Sequence, residues 1–353
     1  MGSFTQDNLS LSALGGYHWL LIRKSKMSGM MTMGRSPFFL KRPRLLFSLL
    51  VLSLALGAGC GSDGDKVVVD FSKTVSVERP GERSSPNPPL RVAVAAMISP
   101  RETFDLYRQL LAYLCHKMGR DLEFVQRKTY GEIDELLGQG QIDLAFICSG
   151  PYVAGKDRYG FIPLAIPEVQ GEHFYRSYLI VNRKSSYKRL EDLQGHTFAF
   201  TDPDSNTGRL VPTYWLAQLK AQPETFFGGL IYTYSHDNSI MAVARGLVDG
   251  AAVDGLVWEF YQARNPAFTS KTRVIKKSEP YGLPPLVASR LLAEKIREQI
   301  RQLLLSMHQD PEGRHILSEL LIDRFVPVQE EWYDNVRKMH QHLAQLKDKP
   351  HAP

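Results

Sequence analysis

The amino-acid sequence predicts an α/β protein whose folded body has two lobes, each an open, mostly parallel sheet flanked by helices, with a cleft between them. Three observations predict it. From Arg91 onward, short apolar runs of strand length alternate with stretches of helical period. That alternation breaks off and then restarts, which gives two successive units of about 90 residues each. Finally, 43% of the 353 residues are hydrophobic and 23% charged, a balance that can bury a core and excludes collagen, a disordered tail and a polytopic membrane protein.

The elements follow in order. Arg91–Ala96 reads as a buried strand, and residues 103–118 carry Phe104, Tyr107, Leu110, Leu111 and Leu114 at helical spacing. Next come a strand at Leu122–Gln126, a helix at Tyr130–Gly138, a strand at Ile142–Cys148 and a helix opening at Pro151. After extended segments near residues 161–166 and 175–182, the pattern resumes with strand Thr197–Thr201, helix Arg209–Leu219, strand Ile231–Tyr234, helix Ser239–Gly246 and strand Gly250–Val253. A last extended segment near 286–288 and helices within 291–306, 311–322 and 329–346 complete the chain. In open α/β sheets, ligands bind beyond the carboxyl ends of the strands, so the cleft is the expected site.

The formal charge of +6 invites a nucleic-acid reading, but seven basic side chains against Asp7 in residues 1–59 account for all of it. The remaining residues are balanced, so no basic footprint for a phosphate backbone is expected. Lys41, Arg42 and Arg44 precede the uncharged run Leu45–Ala58, which is short for a membrane span and suited to a secretory signal. Leu56-Gly57-Ala58-Gly59-Cys60 resembles a lipobox with its Leu one position early, and makes Cys60 the expected lipidation site; an ordinary cleaved signal and an uncleaved anchor are the alternatives. Because about forty residues precede Lys41, against the short basic start of a signal, translation is expected to begin at one of Met27, Met30, Met31 and Met33, with Met30–Met33 favoured. The expected organisation is therefore a signal peptide with a spurious extension at 1–59, a flexible tether at 60–89, lobe 1 at 90–183, lobe 2 at 184–277, and a return to lobe 1 at 278–353. Hinges are expected near 182–186 and 278–285. Cys115 and Cys148 are too few for a disulfide framework and read as buried structural residues.

One segment carries binding chemistry. In Phe200-Thr201-Asp202-Pro203-Asp204-Ser205-Asn206-Thr207-Gly208-Arg209, a strand ends, Pro breaks it, and short polar residues open a helix. A helix N-terminus offers unsatisfied N–H groups and a partial positive charge, to which Ser, Asn and Thr add donors. The same residues also serve simply as caps. Cys148-Ser149-Gly150-Pro151 offers similar geometry in the first lobe. No G-x-S-x-G, H-E-x-x-H, C-x-x-C or P-loop motif occurs, and the His and acidic residues lack metal-ligand spacing, so no metal, cofactor or catalytic residue is expected. A triad of Ser205, His236 and Asp237 is a matter of composition only, and leaves a hydrolase as a third-ranked reading.

From about Leu90 to Leu343 the body resembles the solute-binding proteins of the phosphonate, phosphite and phosphate ABC-importer family, which have a type II periplasmic-binding fold. Ser205-Asn206-Thr207-Gly208-Arg209-Leu210-Val211-Pro212 resembles the signature S-T-S-G-x-L-x-P, with Asn at the second place. Ser235-His236-Asp237 followed by 242–251 resembles S-H-D…A-V-A-x-G-x-V-D-x-A. Tyr175-Arg176-Ser177 with Leu179-Ile180-Val181, the turn Glu191-Asp192-Leu193-Gln194-Gly195, and Tyr130 ahead of Gly140-Gln141-Ile142-Asp143 complete the match.

The resemblance implies a non-catalytic receptor in which Ser205, Asn206, Thr207 and the Gly208 amide, His236, and Tyr130 and Tyr175 from the facing lobe hold an oxyanion, with Ser149 as a further candidate. It implies a monomer, exported to the periplasm or the outer face of the cytoplasmic membrane, delivering phosphite, phosphate or a short alkylphosphonate to an ABC permease. The alternative is a sensory binding protein for a membrane kinase or chemoreceptor. Relatives that take aminoalkylphosphonates resemble one another in placing a carboxylate twenty residues after the pocket His and another in the returning strand. Here those places hold Leu256 and Tyr281-Gly282-Leu283-Pro284-Pro285, so an amine-free ligand is expected, at least tenfold tighter than 2-aminoethylphosphonate, since an unpaired buried ammonium costs several kcal/mol; Asp254 and Glu259 are the alternative counter-ions for an amine.

Overall fold

The computed structural model describes residues 87–97 and 100–347. The expected start methionines, the signal segment, Cys60 and the tether up to residue 86 lie outside the described residues.

In the first lobe, three parallel strands form one side of the sheet: β1 (Leu90–Val94) lies between β2 (Leu122–Val125), at the edge, and β3 (Leu144–Phe146), with Val92 opposite both Phe124 and Leu144. Helices α1 (Pro100–Lys117) and α2 (Tyr130–Gly138) make the crossovers, and α3 (Ser149–Tyr159) follows β3. Thr129 and Glu132 close a capping box at the start of α2, which fixes the helix to begin at Tyr130. Strand β4 (Ile162–Glu168) adds on the far side.

The chain then crosses to the second lobe through a two-residue strand, β5 (Phe174–Tyr175). Strand β6 (Ser177–Asn182) already belongs to the second sheet, pairing antiparallel with β9 (Gly250–Asp254) and β10 (Thr272–Lys277). The expected boundary at 183/184 and hinge at 182–186 are thus corrected: the crossing lies at about 173–176, because β6 finds its partners far downstream and not beside β4. Parallel strands β7 (Thr197–Phe200), β8 (Gly229–Tyr232) and β9 form one side of the second sheet, in the order β10-β6-β9-β7-β8. Helices α4 (Val211–Gln218), α5 (His236–Ala244) and α6 (Gly255–Arg264) flank it. The sequence reading left α6 and β10 unassigned.

The chain returns through β11 (Tyr281–Gly282), which pairs antiparallel with β5, Tyr281 opposite Tyr175. This agrees with the return expected at 278–285. Hence the two crossings form one ribbon, and Gly282 packs closely there: a Cβ would lie 3.0–3.1 Å from Trp332 and Tyr333. Strand β12 (Leu286–Ala288) inserts antiparallel between β3 and β4, and β13 (Arg324–Val326) extends the edge at β4. Each sheet is therefore mixed, with three parallel strands on one side and antiparallel strands on the other. Helices α7 (Glu294–Ser306), α8 (Pro311–Glu319) and α9 (Asp334–Lys347) end the described chain; α9 packs on α3 of one lobe and α4 of the other. Cys115 and Cys148 are buried free thiols.

Candidate functional site

The segment between β7 and α4 does not begin as an ordinary α-helix. Residues Asn206–Leu210 form a single wide π-turn, with Leu210 N donating to Ser205 O at 2.9 Å, and α4 starts only at Val211. Such turns leave local polar groups free and frequently mark functional positions. Ser205 is the N-cap: its Oγ accepts from the Gly208 amide at 3.0 Å. That amide, expected to face an oxyanion, is therefore already engaged, while the Ser205 hydroxyl proton remains able to donate. Ser177 Oγ donates to Thr207 O at 2.7 Å and anchors the turn on β6. Thr207 itself is fully buried and its Oγ1 has no partner.

His236 opens α5 beside this turn. The backbone N–H of Asp254 donates to its Nδ1 at 3.1 Å, and Thr201 Oγ1 lies 3.1 Å from the same nitrogen. Since a backbone N–H can only donate, Nδ1 is the acceptor and the ring proton sits on Nε2. Burial pushes the imidazole pKa down to about 3, so it stays neutral. The result is an Nε2–H donor, fully buried, without a partner. Ser235, just before it, is also buried with an unpartnered Oγ. Tyr234 adopts φ +60°, a costly conformation for a non-glycine residue that aims this corner inward.

From the facing lobe, Tyr130 contributes a buried hydroxyl that lies beside Ser205 without completing a hydrogen bond. Tyr175 on the crossing strand accepts from Asn206 Nδ2 at 3.1 Å and faces the Cys148 thiol at 3.7 Å. Asn206 Oδ1 has no partner; a half-turn of the amide exchanges these roles, letting Tyr175 donate to Oδ1 and freeing Nδ2 as a donor. Ser149, in contrast, donates to Gly282 O at 2.6 Å and ties α3 to the crossing ribbon. Seven of the eight expected residues thus share one buried neighbourhood, with Ser149 engaged at its edge.

The two lobes meet here. Tyr130 N donates to Asp202 Oδ2 at 3.2 Å, so a carboxylate of one lobe caps helix α2 of the other. His236 N donates to Met97 O at 2.9 Å, and the Lys128 ammonium lies 4.2 Å from the Tyr234 ring centre. Burial, above all, raises the carboxylates nearby: Asp202 to about 6 and Asp254 to about 7. The site therefore offers neutral donors, with acids that hold their protons more tightly than usual. Among the described residues, no group of three or more His, Cys, Asp or Glu side chains is placed to hold a metal ion. Thr201 and Ser235 were not singled out as site residues from the sequence, and Asp254 was weighed only as a counter-ion for an amine; the S-H-D run contained the signal for Ser235, whereas the roles of Thr201 and Asp254 beside His236 depend on pairing across the sheet.

Two α/β lobes joined by a paired crossing ribbon, closing on a pocket of neutral donors, define a type II periplasmic-binding fold. Residues 92–333 match the family described as "ABC transporter, phosphonate, periplasmic substrate-binding protein", and the chain belongs to it. It is 27% identical over 208 residues to the phosphate-import protein PhnD of Mycolicibacterium smegmatis, covering 55% of this chain and 64% of that one. It is 28% identical over 209 residues to the phosphonates-binding periplasmic protein of Escherichia coli, covering 58% and 62%. The match thus spans just under two thirds of each relative's length. Among solved structures, a binding protein component of an ABC phosphonate transporter from Pseudomonas aeruginosa has the same fold, with TM-score 0.70 at 21% identity over 75% of this chain and 90% of that one. PhnD1 of Prochlorococcus marinus, solved with methylphosphonate, gives TM-score 0.63 at 21% identity over 72% and 98%.

Proposed function

We propose that this chain captures a phosphorus oxyanion, whether phosphite, phosphate or an alkylphosphonate, and presents it to an ABC permease, as an exported protein tethered through Cys60. The observation that carries the reading is a set of buried, unpartnered polar atoms on residues at the contact between the lobes: Tyr130 Oη, Thr207 Oγ1, Ser235 Oγ and His236 Nε2. Buried donors without acceptors are costly and rare in folded proteins, and an oxyanion supplies several acceptors at once. Bonds to a charged ligand contribute roughly 1.5–3 kcal/mol each, so four or five sustain micromolar or tighter binding after desolvation.

The test is calorimetric titration of the purified chain with phosphite, phosphate and methylphosphonate, alongside Ser205→Ala and Thr207→Val. Binding of at least one ligand with 1:1 stoichiometry and no product is expected, and each substitution should weaken it about tenfold or more, because each removes one charge-assisted bond. Unchanged affinity with a melting temperature lowered by the loss of a cap would leave these residues a structural role only and overturn the reading.

A further inference from the structure

We propose that the ligand carries an apolar substituent on phosphorus, seated in a cavity beside the oxyanion pocket; the inference rests on the oxyanion reading above and names the class of ligand within it. The cavity measures about 210 Å³ and lies between the strand ends of lobe 1 and helix α6 of lobe 2. Phe146, Leu283 and Leu321 form one wall, and Leu256, Val257 and Phe260 the other. It shares Asp254, Ala95 and Met97 with the surroundings of His236 and Tyr130. Asp254 lines the cavity, and its backbone N–H fixes the ring of His236. Ala95 and Met97 also line it, while packing with Tyr130 and Cys148, and Met97 O receives the His236 amide. A substituent on an oxyanion held by His236 and Tyr130 therefore has apolar space next to it, past Asp254.

Size and charge favour carbon over an amine. An apolar cavity of about 150 Å³ is large enough for benzene, so this one accommodates a propyl, butyl or phenyl group. Its two carboxylates are already engaged: Asp254 Oδ1 accepts from the amides of Leu256 and Val257, and Glu259 Oε1 accepts from Tyr178. Burial holds the Asp254 carboxyl up at about 7, which weakens it as a counter-charge for an ammonium in mildly acidic solution. Each methylene moved from water into such a space raises affinity roughly fourfold.

The experiment is a competition titration of the full chain with phosphate, methylphosphonate, propylphosphonate, phenylphosphonate and 2-aminoethylphosphonate at pH 6.5. Propylphosphonate and its amine-bearing isostere differ by one terminal group, and the propyl form is expected to bind at least tenfold tighter. Propyl- and phenylphosphonate should each exceed methylphosphonate by at least tenfold. Leu256→Trp, which fills the cavity from α6, should reverse that order, so that methylphosphonate outbinds phenylphosphonate. Should that variant not fold, the wild-type series decides alone. Equal or weaker binding of the propyl and phenyl ligands, or preference for the amine, overturns the inference while leaving the oxyanion reading standing. Failure of all five ligands overturns that reading, and this one with it.

Discussion

Replacing Asp134 by Asn should remove a large part of the protein's loss of stability as pH rises. Asp134 lies on α2 of lobe 1, only 8% exposed, with Oδ1 lacking a partner. Burial is the main cause that raises its pKa to about 8 from 3.8, and the carboxylates of Asp204 and Asp202, on the other lobe, add to it. The folded state therefore keeps a proton that the unfolded chain releases near pH 3.8. Stability linked to that proton is complete below pH 3.8 and is lost as pH rises through 8. The slope is about 1.4 kcal/mol per pH unit, and the limiting loss across the window is about 6 kcal/mol. An asparagine side chain resembles the protonated acid in shape and does not titrate. Urea denaturation of both proteins at intervals from pH 5 to 9 gives the comparison. Asp254 titrates in the same direction and cancels in the difference between wild type and variant, while the coupling of Asp202 to Asp134 is part of that difference. That difference should grow in favour of the Asp134→Asn variant by roughly 3 kcal/mol or more between pH 5 and 8. Parallel curves, within about 0.5 kcal/mol, would refute the burial argument.

Two further outcomes follow from the site. A Cβ at Gly208 would lie 2.4 Å from Thr201 Oγ1 and 2.5 Å from Thr201 Cβ, so Gly208→Ala should displace the threonine that steadies His236. A loss of about 2 kcal/mol in a denaturant melt, with weaker oxyanion binding, is expected. Nitrogen NMR of His236 should show a neutral ring protonated at Nε2 from pH 8 down to pH 4, since burial lowers its pKa to about 3. Its contribution to stability is present above pH 6.5 and lost as pH falls toward 3, opposite in sign to Asp134; a titration near 6.5 would contradict the burial.

Local signals were legible wherever one segment carries its own instructions. Tyr130–Gly138 is a helix because Thr129 and Glu132 cap each other within four residues, and Ser205–Gly208 announces a helix start by residue type. What the sequence did not reveal depends on distant partners. Ser177–Asn182 is an apolar run that suits either sheet, and only its pairing with Gly250–Asp254 and Thr272–Lys277 assigns it to lobe 2. Helix Gly255–Arg264 went unassigned because Leu256, Val257, Trp258 and Phe260 face more than one neighbour: Trp258 reaches Thr272 on β10, while Leu256 and Phe260 line the cavity against lobe 1. No single apolar stripe marks such a helix. The same holds for the Nδ1 partner of His236, which lies 18 residues away on another strand.

The balance of polar groups at the interface bears on how the lobes close. Four buried polar atoms without partners, on Tyr130, Thr207, Ser235 and His236, each oppose closure by about 1–3 kcal/mol, because each exchanges water for nothing. The contacts that favour closure at the same place are few: the Asp202 cap on Tyr130 N, the His236 amide on Met97 O, and the Lys128–Tyr234 pair. Bonds of these kinds contribute about 1 kcal/mol each in net terms. Direct lobe-to-lobe bonds are thus outweighed by the unpaired donors until an acceptor joins them, and an oxyanion reverses the sign by partnering several at once. The ribbon formed by Phe174–Tyr175 and Tyr281–Gly282 allows this without unfolding either sheet, since only four paired residues carry the chain between them. Neutral donors suit the task better than a lysine or arginine: a fixed cation beside Asp134, Asp202 and Asp254 would draw those carboxylates into ion pairs and close the cleft on itself. Under the proposed function, selectivity for an anion is then a matter of closure, because a ligand rich in acceptors makes the closed form the lower in free energy.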